Sequence, residues 1–202
     1  MIDNPFRKWL AQRARLILLT CQTIGVTPNI VTLGSLFFAI VASFTCSFGF
    51  DLLSILLWWF SRLLDSADGI LARHTGNSTV FGAYLDILCD MASYSFMVIA
   101  MSFRFPNMAP AWLAVLCLYV LCITSALGLG SLQNDLKIPP DDNRGLRLGA
   151  GLIEGGETGI AYTVFLLFPH WIHIWVPMWV ALLVVTVLFR TLLAYKIFKV
   201  HS

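Results

Sequence analysis

The 202-residue chain is 58% hydrophobic and 12% charged, with a formal net charge of +2 and a mean hydropathy of +0.81, far from the roughly 45–50% apolar and 25% charged residues of a soluble domain. This composition marks one integral-membrane domain and leaves no room for a soluble one. The apolar runs are too many and too long for a signal peptide or a single anchor, since a spanning helix takes about 20 residues.

In chain order, FRKWLAQRARLILLTC sets Arg7, Lys8, Arg13 and Arg15 beside Phe6, Trp9, Leu10, Ile17 and Leu18. This pattern predicts an amphipathic helix over residues 1–25, lying on an anionic leaflet. Apolar runs bounded by polar or Pro/Gly punctuation follow at 29–48, 52–72, 80–103, 109–132, 147–168 and 172–195. The expected fold is all-α: a six-helix transmembrane bundle over 26–202 with short links between antiparallel neighbours. Thr27 and Pro28 read as the cap and first turn of the first span, with Asn29 and Thr32 one turn apart beside them.

The link QNDLKIPPDDNRGLR is the longest and most polar, and it brings Lys137, Arg144 and Arg147 to the mouth of the fifth span. There Gly151, Gly155 and Gly159 repeat every four residues, a small-residue face for close helix packing. In HWIHIWVPMW, His170 and His173 do not by themselves close a metal site, and the tryptophans read as an interfacial belt. The five cysteines (Cys21, Cys46, Cys89, Cys117 and Cys122) lack metal-ligand spacing and read as small buried apolar residues.

In the six-span topology Arg104 alone falls on one side. Arg7, Lys8, Arg13, Arg15, Arg73, Lys137, Arg144, Arg147, Lys196 and Lys199 fall on the other, which predicts cytoplasmic termini. Arg62 and Arg190 sit within spans and need partners there. The small net charge is what this asymmetry leaves, and no compact basic surface exists to hold a nucleic acid.

The segment LLDSADGILARHTGNSTVFGAYLDILCD places four carboxylates in this apolar setting. With the second and third spans as an antiparallel hairpin closed at 74–79, residues at equal depth pair Asp65 with Asp90, Asp68 with Asp86, and Arg73 with Gly82. Asp65, Asp68 and Ala72 share one helical stripe, and Gly82, Asp86 and Asp90 share another. A rise of about 1.5 Å per residue sets Asp65 about 12 Å below Arg73, inside the membrane but near its cytoplasmic face.

Desolvation and like-charge repulsion oppose ionisation of all four. Arg62 is the nearby fixed positive charge on these spans, so a divalent cation is the simplest solution, and all-oxygen ligands favour Mg²⁺ or Mn²⁺. A set of intramembrane ion pairs holding the bundle together is the structural alternative.

The pattern Asp65-x2-Asp68-Gly69-x2-Ala72-Arg73-x8-Gly82-x3-Asp86-x3-Asp90 resembles, without a gap, the signature of the CDP-alcohol phosphatidyltransferases. The six-helix length, the Thr27-Pro28-Asn29 start and an Arg in the last helix, Arg190, extend the likeness over nearly the whole chain. The resemblance implies transfer of a phosphatidyl group from CDP-diacylglycerol, or a similar CDP-lipid, to the hydroxyl of a small polar alcohol, with release of CMP. It implies Asp65, Asp68, Asp86 and Asp90 at a pair of Mg²⁺ or Mn²⁺ ions, and Asp90 also as the base that takes the acceptor's proton. Arg73 is then a diphosphate contact, and Gly69, Ala72 and Gly82 keep the backbone low for the nucleotide. Asn29, Thr32 and Thr79 lie near the cytidine. A homodimer in the bacterial inner membrane, with its active site facing the cytoplasm, is also implied.

The acceptor is read from charge. Lys137, Arg144, Arg147 and Arg190 suit a phosphorylated acceptor, and glycerol 3-phosphate is the expectation. Glu157, with Glu154, either neutralises Arg190 or binds an amine-bearing acceptor such as serine. Inositol and inositol phosphate are further alternatives. Two readings of other classes remain open at this point, a divalent-cation transporter and an aspartate-rich prenyltransferase. Missing inverted repeats weigh against the first, and a single acidic hairpin in a short chain weighs against the second.

Overall fold

The structure, a computed structural model, describes residues 27–135 and 155–201, with side chains described as far as Lys199. The expected interfacial helix at 1–25 lies outside the described residues, as do Cys21, Lys137, Arg144, Arg147, Gly151 and Glu154. What is described is helical and contains no strand: α1 (Pro28–Ser47), α2 (Asp51–Thr75), α3 (Val80–Arg104), α4 (Ala109–Asp135), α5 (Gly155–Leu167) and α6 (Ile172–His201). One 3₁₀ turn, Pro106–Met108, leads into α4 and another, Pro169–Trp171, into α6.

Four stretches of the described residues are long and apolar enough to cross a bilayer, rather than the expected six: Pro28–Ser47, Val80–Arg104, Pro106–Asp135 and Pro169–Lys199. The other two differ for separate reasons. α2 has 25 residues, but Asp51, Arg62, Asp65, Asp68 and Arg73 lower its hydropathy. The described part of α5 has 13 residues, too few to span about 30 Å at about 1.5 Å per residue.

Helix ends follow local chemistry, with one exception. Pro28 opens α1, but Thr27 gives no side-chain cap; its carbonyl instead accepts the Ile30 N–H at 3.0 Å. Gly49, at φ 81°, turns the chain from α1 into α2, and Gly76, at φ 69°, ends α2. At these left-handed positions a side chain would be strained. Thr79 caps α3 by accepting the Gly82 N–H at 2.9 Å.

α1 presents Thr32, Ser35, Ala39, Ala42, Ser43 and Cys46 to the bundle, while Phe37 and Phe44 face outward. These small residues allow close approach to α2, where hydroxyls bridge the two backbones. Ser61 Oγ donates to Ser35 O at 2.8 Å, and Ser54 Oγ donates to Ala42 O at 2.8 Å. At the end away from the aspartates, Arg104 of α3 makes a two-pronged ion pair with Asp51 of α2 and also reaches Cys46 O of α1. The hairpin and α1 are thus tied at both depths.

The core is aromatic. Trp58, Tyr94, Trp112, Tyr162, Phe165 and Trp179 pack with Met97, Met101 and Leu183. Trp179 Nε1 donates to Tyr119 Oη at 3.2 Å, the Tyr119 and Tyr162 hydroxyls meet at 3.0 Å, and Tyr162 Oη donates to Tyr94 O at 3.1 Å. This chain satisfies polar atoms that lipid cannot. Arg190 of α6 finds its partners on α4, donating to Cys122 O at 2.5 Å and Ser125 Oγ at 3.0 Å. Cys46 and Cys89 are buried as expected, whereas Cys117 is exposed and Cys122 half-buried. A thiol is apolar enough to sit on an outward helix face.

The α5 glycines lie on the α2–α3 surface. A Cβ at Gly159 would stand 3.3 Å from Trp58 Nε1 and 3.4 Å from Trp59 Cη2, whereas one at Gly128 of α4 would meet nothing within 4 Å. Gly159→Leu is therefore expected to destabilise the bundle by about 1–3 kcal/mol, the usual cost of overpacking, and Gly128→Leu to leave stability unchanged or raised. Thermal unfolding of the detergent-solubilised variants checks this; equal midpoints would show that α5 does not depend on close packing.

Candidate active site

α2 and α3 run antiparallel from the Gly76–Thr79 link, and their facing stripes bring Asp65 and Asp68 of α2 up to Asp86 of α3. One carboxylate oxygen from each lies within 4.8 Å of the others. Asp68 is buried. Its Oδ2 accepts a 2.5 Å hydrogen bond from Thr32 Oγ1 of α1, and the same hydroxyl also lies 3.1 Å from Pro28 O. Thr32 thus orients a carboxylate from one helix away.

Asp90, one turn further along α3, is not among these three. Its Oδ1 accepts a 2.5 Å hydrogen bond from Arg62 Nη1, and that nitrogen stands 3.9 Å from Asp65 Oδ1. Arg62 Nη2 donates to Ser61 Oγ at 3.1 Å. The guanidinium also lies 4.8 Å from the Trp58 ring centre and 5.3 Å from that of Tyr94, within cation–π range. The expected pairing of Asp65 with Asp90 in depth is realised, with Arg62 between them.

Nearer the hairpin turn, Arg73 is exposed and folds back over Gly69, where a Cβ would stand 3.3 Å from its Nη1. A side chain at Gly82 would meet Thr79 Oγ1 at 3.0 Å and Asn29 Oδ1 at 3.2 Å. Asn29, Thr79 and Gly82 therefore converge where α1 meets the start of α3, and Ala72 lies half-buried on the facing stripe. Of the residues expected at the cytidine, Thr32 donates across to Asp68, and Thr79 caps α3. Glu157 is half-buried in the first turn of α5.

Three clustered carboxylates beside one guanidinium already bound to a fourth form a hard, all-oxygen, negatively charged donor set. This suits Mg²⁺ or Mn²⁺ rather than softer metals. Two contacts are not legible in the sequence. The resemblance puts Thr32 near the cytidine, but its bond to Asp68 shows only once α1 is placed. The Trp58–Arg62–Tyr94 stack had a partial sign in the one-turn spacings of Trp58 with Arg62 and Asp90 with Tyr94.

Comparison with known proteins gives a consistent picture. A sequence model of the CDP-alcohol phosphatidyltransferase family matches residues 25–188. The chain is 28% identical to the inner membrane protein YnjF of Escherichia coli (strain K12) over 73% of its length and 72% of the relative's. It is 30% identical to the archaetidylinositol phosphate synthase of Aeropyrum pernix over 71% of its length and 68% of that protein's. The fold is similar to a crystal structure of Mycobacterium tuberculosis phosphatidylinositol phosphate synthase with CDP-DAG bound, with a TM-score of 0.66 and 21% identity over 89% of this chain and 92% of the other. It is also similar to a structure of that protein in complex with manganese and citrate, with a TM-score of 0.62 and 21% identity over 89% of this chain and 87% of the other.

Proposed function

We propose, since the chain belongs to the CDP-alcohol phosphatidyltransferase family, that it transfers the phosphatidyl group of CDP-diacylglycerol to the hydroxyl of a small phosphorylated polyol and releases CMP. The observation that carries this is the convergence of Asp65, Asp68 and Asp86 within 4.8 Å beneath Arg73 and Gly69. These three would hold Mg²⁺ or Mn²⁺, two ions in all, whose charge when bound would offset that of the diphosphate. Arg73 lies outward of the cluster, where a lipid-borne diphosphate would enter from the interface, and its guanidinium matches phosphate oxygens. Asn29 Oδ1 and Thr79 Oγ1 line the Gly82 backbone at about the position a Cβ would take, and these polar atoms would meet the nucleotide. The acceptor oxygen forms a bond to the lipid-bearing phosphorus, the bond from that phosphorus to CMP breaks, and the acceptor's proton passes to Asp90. Active site and termini face the cytoplasm, by the distribution of Lys and Arg, and the protein works as a homodimer.

Glycerol 3-phosphate, the acceptor expected from the basic residues, has no support among the relatives. Those of Aeropyrum pernix and Mycobacterium tuberculosis are named as synthases of inositol phosphate lipids, so inositol phosphate is the acceptor proposed. It keeps the phosphate that Lys137, Arg144, Arg147 and Arg190 suggested. An acceptor panel with CDP-diacylglycerol and Mn²⁺, scored by the lipid formed, tests this. Inositol phosphate is expected to exceed inositol and serine in kcat/KM by at least ~10-fold, because a phosphate bound by charged donors contributes about 1.5–3 kcal/mol, and also to exceed glycerol 3-phosphate. Preference for serine would move the assignment to Glu157; preference for glycerol 3-phosphate would overturn the inositol reading.

A further inference from the structure

α1 is uncharged along its whole length, yet one of its side chains ends on a carboxylate of the cluster. Thr32 is 3% exposed, and its hydroxyl lies 2.5 Å from Asp68 Oδ2 and 3.1 Å from Pro28 O. A threonine inside a helix ordinarily donates back to the carbonyl four residues earlier. The hydroxyl has one proton to give, and the shorter, charge-assisted bond takes it, so Thr32 donates to Asp68. One turn further along α1, a reciprocal bridge secures this placement. Ser35 Oγ donates to Ser61 O at 3.1 Å, and Ser61 Oγ donates to Ser35 O at 2.8 Å. α1 cannot slide along α2 without breaking both buried bonds, and the register they set brings Thr32 level with Asp68.

We propose that Thr32 is a positioning residue for the metal: held in register by the Ser35–Ser61 bridge, its hydroxyl fixes the orientation of the Asp68 carboxylate and thereby sets the affinity of the carboxylate cluster for Mg²⁺ or Mn²⁺. This rests on the proposed transferase reading. Asp65, Asp68 and Asp86 stand on α2 and α3, so α1 enters the centre through this bond. Without it, like-charge repulsion from Asp65 and Asp86 favours side-chain torsions that carry Asp68 away from them. With it, the carboxylate is presented before an ion arrives, as partners of metal ligands do elsewhere. A threonine serving only to pack α1 would need no bond to a charged group on another helix.

The test is Mn²⁺ binding to the full-length protein in lipid nanodiscs, with free Mn²⁺ followed by electron paramagnetic resonance. No nucleotide is present, so contacts to cytidine do not enter. Thr32→Val keeps the shape and loses the hydroxyl. It is expected to weaken Mn²⁺ binding by about 10–100-fold, the range for loss of a hydrogen-bond partner of a metal ligand. Thr32→Ser restores the hydroxyl and is expected within about 3-fold of wild type, half the free energy of a tenfold change. Ser35→Ala is the control for α1 packing: it removes one bond of the bridge and leaves the bond from Ser61 Oγ in place. Its thermal midpoint should fall while its Mn²⁺ affinity stays within about 3-fold of wild type.

Mn²⁺ binding in Thr32→Val within about 3-fold of wild type overturns the proposal, and so does tighter binding, which would show a hydroxyl that competes with the ion for Asp68. A Thr32→Ser variant as weak as Thr32→Val, or an equal loss in Ser35→Ala, overturns it as well, since either traces the effect to the packing of α1. If Thr32→Val does not fold, Thr32→Ala makes the same comparison without the branched side chain. Failure of the underlying reading looks different. Wild-type protein would then bind no Mn²⁺, or Asp68→Asn would bind it as well as wild type does.

Discussion

Chelation with EDTA is expected to stop CMP release completely, and Asp68→Asn to lower it by at least ~10³-fold with loss of measurable Mn²⁺ binding; losing only a hydrogen-bond partner of a metal ligand costs about 10–100-fold, and this change removes a ligand. Asp68 is the buried member of the three-carboxylate cluster, fixed by Thr32 from α1. At about 5 Å and an effective dielectric of about 20, each like-charge pair costs about 3 kcal/mol, so three ionised carboxylates strain the hairpin unless a cation joins them. The same argument predicts opposite signs for activity and stability. In EDTA, Asp68→Asn removes two of the three repulsive pairs and should unfold at a higher temperature than wild type. With Mn²⁺ the order should reverse, since saturation to 100 times Kd stabilises the wild type by about 2.7 kcal/mol. Full turnover in EDTA, or a wild type whose midpoint ignores Mn²⁺, would remove the metal from the mechanism.

The hairpin was legible because helical periodicity and a short link are local facts: once α2 and α3 are antiparallel, the facing of Asp65, Asp68 and Asp86 follows from spacing alone. Helix ends were only partly legible: Gly76 and Thr79 do what turn and cap residues do within the expected link, whereas Thr27, the expected cap, gives no side-chain hydrogen bond. What the spacing did not contain was the third helix. Thr32 belongs to the site only because Ser35, Ala39 and Ala42 let α1 lie against α2, a packing decision made by small side chains with little sequence contrast. Nor did spacing assign Arg62 between Asp65 and Asp90, both within one turn or one crossing of it. The rings of Trp58 and Tyr94, packed in turn against the α5 glycines, flank it, and that requires contacts between segments far apart in the chain. Six helices are present among the described residues, as expected, but at α2 the residues that build the site lower hydropathy below that of an ordinary spanning helix.

Asp90→Asn should lower turnover by at least the ~10²-fold usual for loss of a general base, while CDP-lipid binding stays measurable. The amide keeps an oxygen that Arg62 can donate to, so the Trp58–Arg62–Tyr94 stack and the packing of α5 are retained, and thermal unfolding should change little. What is lost is the negative charge. The acceptor's proton then has no carboxylate to receive it, and Arg62, no longer neutralised 3.9 Å from Asp65, opposes a divalent ion. Mn²⁺ affinity should therefore fall modestly, far less than in Asp68→Asn, and adding Arg62→Gln should restore affinity without restoring turnover. That separation is the mark of a base: affinity depends on the net charge around Asp65, Asp68 and Asp86, whereas turnover depends on the carboxylate at position 90 itself. If Asp90→Asn instead loses CDP-lipid binding as fully as Asp68→Asn does, Asp90 acts chiefly as a metal ligand, and the proton must leave by another group.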